Sequence, residues 1–299
     1  MMNIVKTLFA VSAAAAAVSC CECDKPLHTI PCDDYAQTDA YFRYGEGCGM
    51  IISGHRGGMD DGYPENCIES FEHTLRHMPS FFEIDPRMTK DSVMVLMHDS
   101  TLERTTTGEG RVRDYTWEEL QQFNLIDRKG NITPYKIPKV EDVILWSKGK
   151  TVLNFDTKDV TRDVLIPLVN RCGAQNVIYT VHNPQAALDC LALDPEARFS
   201  VWVKNMDEFR AYEAAGLDWA KVLVAYVVSN TMKEESREMY DALHAAGVRC
   251  MTSTAPFQDK MPNRELRRAR YRKEVEKHPD IIETDYPLDF VGLYEDEKL

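Results

Sequence analysis

The stretch MIISGHRGG, Met50 to Gly58, sets the reading of the whole chain. The apolar run Met50-Ile51-Ile52 stops at Ser53-Gly54, and a base, a cation and two glycines follow at once. A short run of apolar and β-branched residues bounded by glycine reads as a buried strand. Gly-Gly after a strand is also ordinary turn chemistry. The stretch alone therefore leaves a functional and a bland reading level. The decision rests on whether other strands end in the same way.

Working outward, the same kind of apolar run recurs at a regular interval. Strand candidates are 50–54, 81–85, 151–156, 177–181, 199–203, 222–226, 248–252 and 281–285. Amphipathic stretches separate them, at 66–77, 162–172, 184–193, 206–215, 234–246 and 264–278. Asn183-Pro184 is a helix start with proline at the first helical position. Gly173, Gly216 and Gly247 each fall just past a helix, where a left-handed cap favours glycine. Eight strands alternating with helices predict an α/β (β/α)8 TIM barrel. An open doubly wound sheet is the rival, and the count of eight favours the barrel. After the second barrel strand the rhythm breaks. A turn at 89–92 and a return strand at 93–99 open a long insertion over about 99–148. It carries the Gly-rich stretch Thr107-Gly108-Glu109-Gly110 and two short helices near 116–123 and 140–147. A connection of that length is usually functional.

The chain has 299 residues, 44% of them hydrophobic, enough for one large domain. Its formal charge of -13 argues against general nucleic-acid binding, which needs an excess of Lys and Arg. An anionic substrate must then be met by a local cationic site or a metal. Residues 1–19 read as a signal peptide, with Lys6 ahead of a short apolar core and a small-residue exit. Ala17-Val18-Ser19-Cys20 resembles a bacterial lipobox, with Ala17 where Leu is usual, and makes Cys20 the expected lipidation site. Residues 20–48 are read as a lipid-anchored spacer and entry segment ahead of a domain at 49–299. The expected location is therefore exported and membrane-anchored, facing the periplasm or cell surface, with simple secretion as the rival. The nine cysteines show no paired C-x-x-C spacing, which argues against a zinc cluster. Cys67, Cys172, Cys190 and Cys250 are expected to pack as small apolar groups.

In a barrel, chemistry sits at the C-terminal ends of the strands. Those ends deliver His55 and Arg56, Glu83 and Asp85, Asp156 and Lys158, and Glu283 and Asp285, while the return strand delivers His98 and Asp99. Glu83 and Asp85 are two apart, so a strand puts both on one face. Two carboxylates at close quarters repel unless something positive lies between them. A hard divalent cation with oxygen ligands, Ca2+ or Mg2+, is the natural partner, and Asp156 can complete the set. Lys158 can face an anion bound to that metal. For either acidic pair alone, salt-bridge decoration of a strand end is the simpler reading. Both pairs and both histidines at one end of consecutive strands point instead to phosphoryl chemistry, with His55 and His98 moving protons.

Taken together, GHRGG at 54–58, PEN at 64–66, EID at 83–85, HDSTLERTTTGEG at 98–110 and ETDYP at 283–287 resemble the glycerophosphodiester phosphodiesterases. The resemblance runs in order over nearly the whole domain. It implies a metal-dependent barrel that hydrolyses a small-molecule glycerophosphodiester to glycerol 3-phosphate and an alcohol. It implies Glu83 and Asp85 as cation ligands, His55 and His98 as the acid–base pair, and Arg56 as a phosphate binder. Glu65 and Asn66 match the PEN motif in a supporting role, and a helix cap is the simpler reading of Asn66. Gly57 and Gly58 would let the backbone turn close to the phosphate. Two departures stand out. Asp156 replaces a usual Glu, two residues before Lys158. Met251-Thr252-Ser253-Thr254 replaces a usual Trp-Asn segment, removing an expected wall of the pocket. A phosphoinositide-phospholipase-like cyclising enzyme and a non-catalytic phosphodiester-binding barrel remain as alternatives.

Overall fold

A computed structural model of the chain describes residues 25–228 and 236–293. Residues 1–19, read as a signal peptide, and Cys20 lie outside the described residues.

Eight strands close into a parallel barrel in chain order. They are β1 (Ile51–Gly54), β2 (Phe81–Ile84), β5 (Leu153–Phe155), β6 (Val177–Val181), β7 (Phe199–Trp202), β8 (Val222–Val228), β9 (Arg249–Ser253) and β10 (Ile281–Thr284). β10 returns to β1 with Ile51 opposite Ile281 and Ser53 opposite Glu283, which closes the ring. Closure settles the choice against the open sheet. The ring of helices is α2 (Ile68–Leu75), α4 (Val140–Ser147), α5 (Arg162–Arg171), α6 (Pro184–Leu193), α7 (Met206–Ala214), α8 (Arg237–Ala245) and α9 (Arg264–Val275). Gly173, Gly216 and Gly247 follow α5, α7 and α8 at positive φ, as the sequence predicts.

Side chains alternate across each strand, so the interior is layered. Ile51, Phe81, Ile178 and Ile281 form one apolar layer low in the barrel. Their neighbours Ile52 and Ile282 point outward against Tyr271 and Phe290. Phe82 and Ile84 point outward into the main strand–helix core. Two residues above the apolar layer come Ser53, Glu83, Thr180 and Glu283, all buried and polar. The same alternation that fills the lower barrel with hydrocarbon therefore lines its upper end with hydrogen-bonding groups.

From residue 25 on, the segment read as spacer and entry packs against the barrel. Helix α1 (Tyr35–Phe42), capped by the Asp34 carboxylate accepting from the Gln37 N–H, plugs the N-terminal mouth of the barrel. Phe42, Cys32 and Ile30 join the lowest apolar layer, and the Phe42 ring meets Phe81 edge-on at 5.1 Å. Arg198 holds the helix through a two-pronged contact to Asp39 at 2.7 and 2.9 Å. The segment lacks a clean helical period because its buried side chains are shared between the helix and the extended run before it. Any spacer is confined to the residues before this plug.

The insertion follows the sequence reading in outline. β3 (Pro86–Met88) and β4 (Met94–Leu96) form an antiparallel hairpin off the barrel. A compact lobe follows, packed around Val95, Met97, Leu102, Leu120 and Leu125, and including the short helix α3 (Trp117–Leu120). Thr116 caps α3 in a reciprocal capping box with Glu119. Helix α4, at the end of the excursion, belongs to the barrel ring, because Val140, Val143 and Ile144 face the main core.

Candidate active site

The polar upper layer opens into a cavity of about 740 Å3, walled on one side by strand ends and on the other by the insertion. That volume suits a small-molecule ligand. His55, Arg56, Glu65, Glu83 and Asp156 line it, as do Glu283 and Asp285, whereas Asp85, Lys158 and His98 do not.

Glu83, Asp85 and Asp156 each present a carboxylate oxygen within 4.8 Å of the others. Burial, and the charge of Asp85 beside it, push the Glu83 carboxyl well above its usual range. Glu83 accepts the backbone N–H of Arg56 at 2.8 Å. Asn66 holds Asp85 from both sides. Its Nδ2 donates to Asp85 Oδ2 at 2.7 Å, and its Oδ1 accepts the Asp85 N–H at 3.1 Å. The other oxygen, Oδ1, is buried with no hydrogen bond directed at it. The Lys158 ammonium lies 3.0 Å from it and 2.5 Å from Asp156 Oδ2. Burial opposes ionisation of Asp156, but His182 and Lys158 more than offset that and hold its carboxyl at about 2. Three converging carboxylates, with only the Lys158 ammonium paired to Asp85 Oδ1 and Asp156, have the donor set of a hard-cation site. The residues present therefore fit a divalent cation, held by Glu83, Asp85 and Asp156. Lys158 stands on the carboxylates as their ion-pair partner.

Each histidine is tied by Nδ1 to a carboxylate. His55 Nδ1 lies 2.6 Å from Asp285 Oδ1, and His98 Nδ1 lies 2.7 Å from Asp99 Oδ1. In both rings Nε2 is left as the nitrogen for proton exchange. Burial alone would lower the His55 pKa. The hydrogen bond to Asp285 and the charges of Glu283, Glu83 and Asp285 outweigh it and raise the value to about 10. Arg87, on the hairpin, fixes the His98 backbone by donating twice to its carbonyl, at 2.9 and 2.6 Å. Arg56 adopts φ 54° and Asn66 φ 57°, left-handed conformations that cost a non-glycine residue free energy. The Asn66 N–H to Arg56 carbonyl bond of 2.7 Å locks the pair together. Arg56 Nη1 reaches Glu65 Oε1 at 3.3 Å, and its buried Nε has no partner.

A family model described as the glycerophosphoryl diester phosphodiesterase family matches residues 55–279. The chain belongs to this family. A glycerophosphodiester phosphodiesterase of Bacillus altitudinis is 34% identical over 114 residues, which is 36% of this chain and 45% of that protein. The aligned part thus spans under half the length of that curated relative. The crystal structure of a glycerophosphoryl diester phosphodiesterase from Parabacteroides distasonis superposes with a TM-score of 0.87 at 43% identity, covering 91% of this chain and 95% of that one. A phosphodiesterase of Oleispira antarctica, solved in complex with the product sn-glycerol-3-phosphate, shares the fold at TM-score 0.61 and 19% identity, over 83% of this chain and 97% of that one.

Within this family barrel, several contributors escape a reading from sequence. Asp285 has a defined position as the partner of His55. The sequence reading places Asp285 beside Glu283 at the last strand end but gives it no role. Arg104 falls within the HDSTLERTTTGEG stretch but has no role legible there, and Arg128 has no local signal, because the insertion folds back to deliver both. Arg128 Nη1 contacts Asp285 Oδ2 at 2.8 Å. Arg104 bridges both Glu65 oxygens, at 2.7 and 2.8 Å, and Asp99, so it links the PEN motif to the His98 dyad. Glu65 therefore holds two arginines.

Three expectations change. The side chain of Asn66 is committed to Asp85, and Cys67 occupies the cap position of α2. The glycines of GHRGG answer to packing as well as to the turn. A Cβ on Gly57 would lie 1.8 Å from the Phe71 ring, and one on Gly58 would lie 2.6 Å from Pro287. The aromatic wall also survives the loss of the expected Trp after β9. Trp202 at the end of β7 and Tyr226 on β8 line the cavity instead, with ring centroids 4.8 Å apart.

Proposed function

We propose that the chain hydrolyses glycerophosphodiesters to glycerol 3-phosphate and an alcohol, using one divalent cation, Ca2+ or Mg2+, and the two histidines. The observation that carries this reading is that Glu83, Asp156, His55 and Arg56 share one cavity at the C-terminal rim of a barrel of this family, with the Asp85 carboxylate directly behind Glu83 and Asp156. A bound cation would polarise the phosphoryl group and offset its charge. Arg56, with its unpartnered Nε, would bind a phosphate oxygen. One histidine takes the proton of the attacking water or neighbouring glycerol hydroxyl through Nε2. The other gives a proton to the leaving alcohol oxygen as the P–O bond breaks. Asp285 and Asp99 keep the two rings oriented for that exchange. The wall made by Trp202 and Tyr226 would face the alcohol or the glycerol.

A metal-supplemented screen tests this reading. Glycerophosphocholine, glycerophosphoethanolamine, glycerophosphoglycerol and glycerophosphoinositol would be supplied separately with Ca2+ or Mg2+. Release of glycerol 3-phosphate from at least one of them is the expected result. Release of inositol phosphate without glycerol phosphate would favour the cyclising alternative. Binding without turnover under every metal would favour a non-catalytic barrel.

We further propose that residues 1–19 are removed and that Cys20 is acylated, which would anchor the barrel at the membrane. The support is the short apolar core ending at Val18-Ser19-Cys20. Stable anchoring follows when more than one acyl chain inserts. Cys20→Ala is then expected to move the protein from the membrane to the soluble fraction. Mass spectrometry showing an unmodified N-terminal peptide at or beyond Cys20 would refute the anchor.

A further inference from the structure

Opposite the active site, at the N-terminal ends of β9 and β10, a second group of metal-ligating side chains meets. His244 lies at the end of α8, Cys250 is the second residue of β9, and Asp280 immediately precedes β10. Their Nε2 or Nδ1, Sγ and carboxylate oxygen atoms all lie within 4.8 Å of one another. The catalytic chemistry uses none of them. His244 Nε2 lies 2.7 Å from Asp280 Oδ2, which also accepts the Cys250 N–H at 2.7 Å. The other Asp280 oxygen is left for a further partner. The Tyr44 ring stacks flat on His244 at 3.6 Å and fixes the imidazole plane.

An independent observation points to a ligand there. A cavity of about 20 Å3, room for a single ion or water, is bounded by Cys250, Asp280 and Tyr240. Tyr240 is 3% exposed, and its hydroxyl is buried with no hydrogen-bond partner. Buried hydroxyls are rarely left in that state. Lys277 also lies on the wall, with its ammonium drawn 2.7 Å from Glu274 Oε2.

We propose that His244, Cys250 and Asp280, with the Tyr240 hydroxyl or a water as fourth ligand, form a structural site for a thiophilic divalent cation of the zinc class. Tetrahedral Zn2+ places its S, N and O ligands about 3.3 to 3.8 Å apart, so the 2.7 Å contact of His244 with Asp280 would open by about 0.6 Å as the ion enters, and any pair near the 4.8 Å limit would close by about 1 Å. A thiolate and an imidazole select Zn2+ over the Ca2+ or Mg2+ suited to Glu83, Asp85 and Asp156. Binding releases the thiol proton of Cys250, and the ring proton of His244 resides on Nδ1 once Nε2 is taken. Thiolate, carboxylate and a neutral imidazole then balance the two positive charges. The ion would tie α8 to β9 and β10 at the closed end of the barrel, a place where stability is served and chemistry is not.

The test uses the full chain, stripped of metals and then held in excess Mg2+ so that the catalytic carboxylates are saturated. Co2+ added to one equivalent is expected to give a near-ultraviolet thiolate-to-cobalt band that Zn2+ abolishes. Zn2+ at a hundredfold over its dissociation constant is expected to raise Tm by roughly 5 °C. Cys250→Ser and, separately, His244→Asn should each lose the band and the Tm shift while keeping Mg2+-dependent turnover. Cys48→Ser should keep all three. No band with Co2+, no shift with Zn2+, or a band that persists in Cys250→Ser would overturn the site.

Discussion

Replacing His55 by alanine is expected to lower turnover at least about a hundredfold, and His98→Ala the same, which is the usual size of a lost general acid or base. Both rings have one nitrogen committed to a carboxylate, His55 to Asp285 and His98 to Asp99, so each has a single nitrogen with which to exchange a proton. The fold should tolerate the loss of His55, because Asp285 keeps its contact with Arg128 and is not left as a bare buried charge. His98 is partly exposed, and Asp99 keeps Arg104. Turnover with each of the four glycerophosphodiesters, measured beside Tm, separates catalysis from stability. Near-normal turnover in either variant would remove that histidine from the mechanism.

The second large effect is loss of activity on chelation. Exhaustive removal of divalent cations is expected to bring hydrolysis to background, and Ca2+ or Mg2+ to restore it. The argument is electrostatic. Glu83, Asp85 and Asp156 bring three carboxylates together, and the one ammonium among them, Lys158, is shared between Asp85 and Asp156. Glu83 has no such cation, and its carboxyl is pushed up by burial and by Asp85. Added phosphate charge would make the deficit worse, so a diester needs further positive charge to approach. Asp85→Asn is expected to raise the cation concentration needed for half-maximal rate, because it neutralises one of the three converging carboxylates. Full activity after exhaustive chelation would sink the metal requirement. Recovery with Zn2+ alone would show that the oxygen donor set does not decide the metal.

Much of this site was legible because it is encoded by short-range pattern. The pairs Glu83/Asp85 and Asp156/Lys158 sit on or beside strands, where a spacing of two fixes a common face without knowledge of the rest of the fold. His55 and Arg56 follow a strand directly and so arrive at the same rim. The less legible contributors are those whose role depends on a return path. Arg104 and Arg128 lie in the insertion, and only its compact folding around Leu102, Leu120 and Leu125 swings them onto Glu65 and Asp285. Trp202 and Tyr226 looked like strand residues, and their place on the cavity wall depends on which face each strand turns inward.

The sequence by itself determined the strand count, the helix ends marked by Gly173, Gly216 and Gly247, and the rim at which chemistry gathers. These follow from periodicity and turn chemistry, which act over a few residues. Long-range packing decides that the sheet closes, that the segment carrying Phe42 seals the barrel floor, and that Asn66 braces Asp85. It also decides that Gly57 yields its space to Phe71, and that His244, Cys250 and Asp280 share one corner below the barrel. Each of those facts joins residues far apart in the chain. Their pairing is set by how the whole core packs, and no local stretch of sequence carries that information.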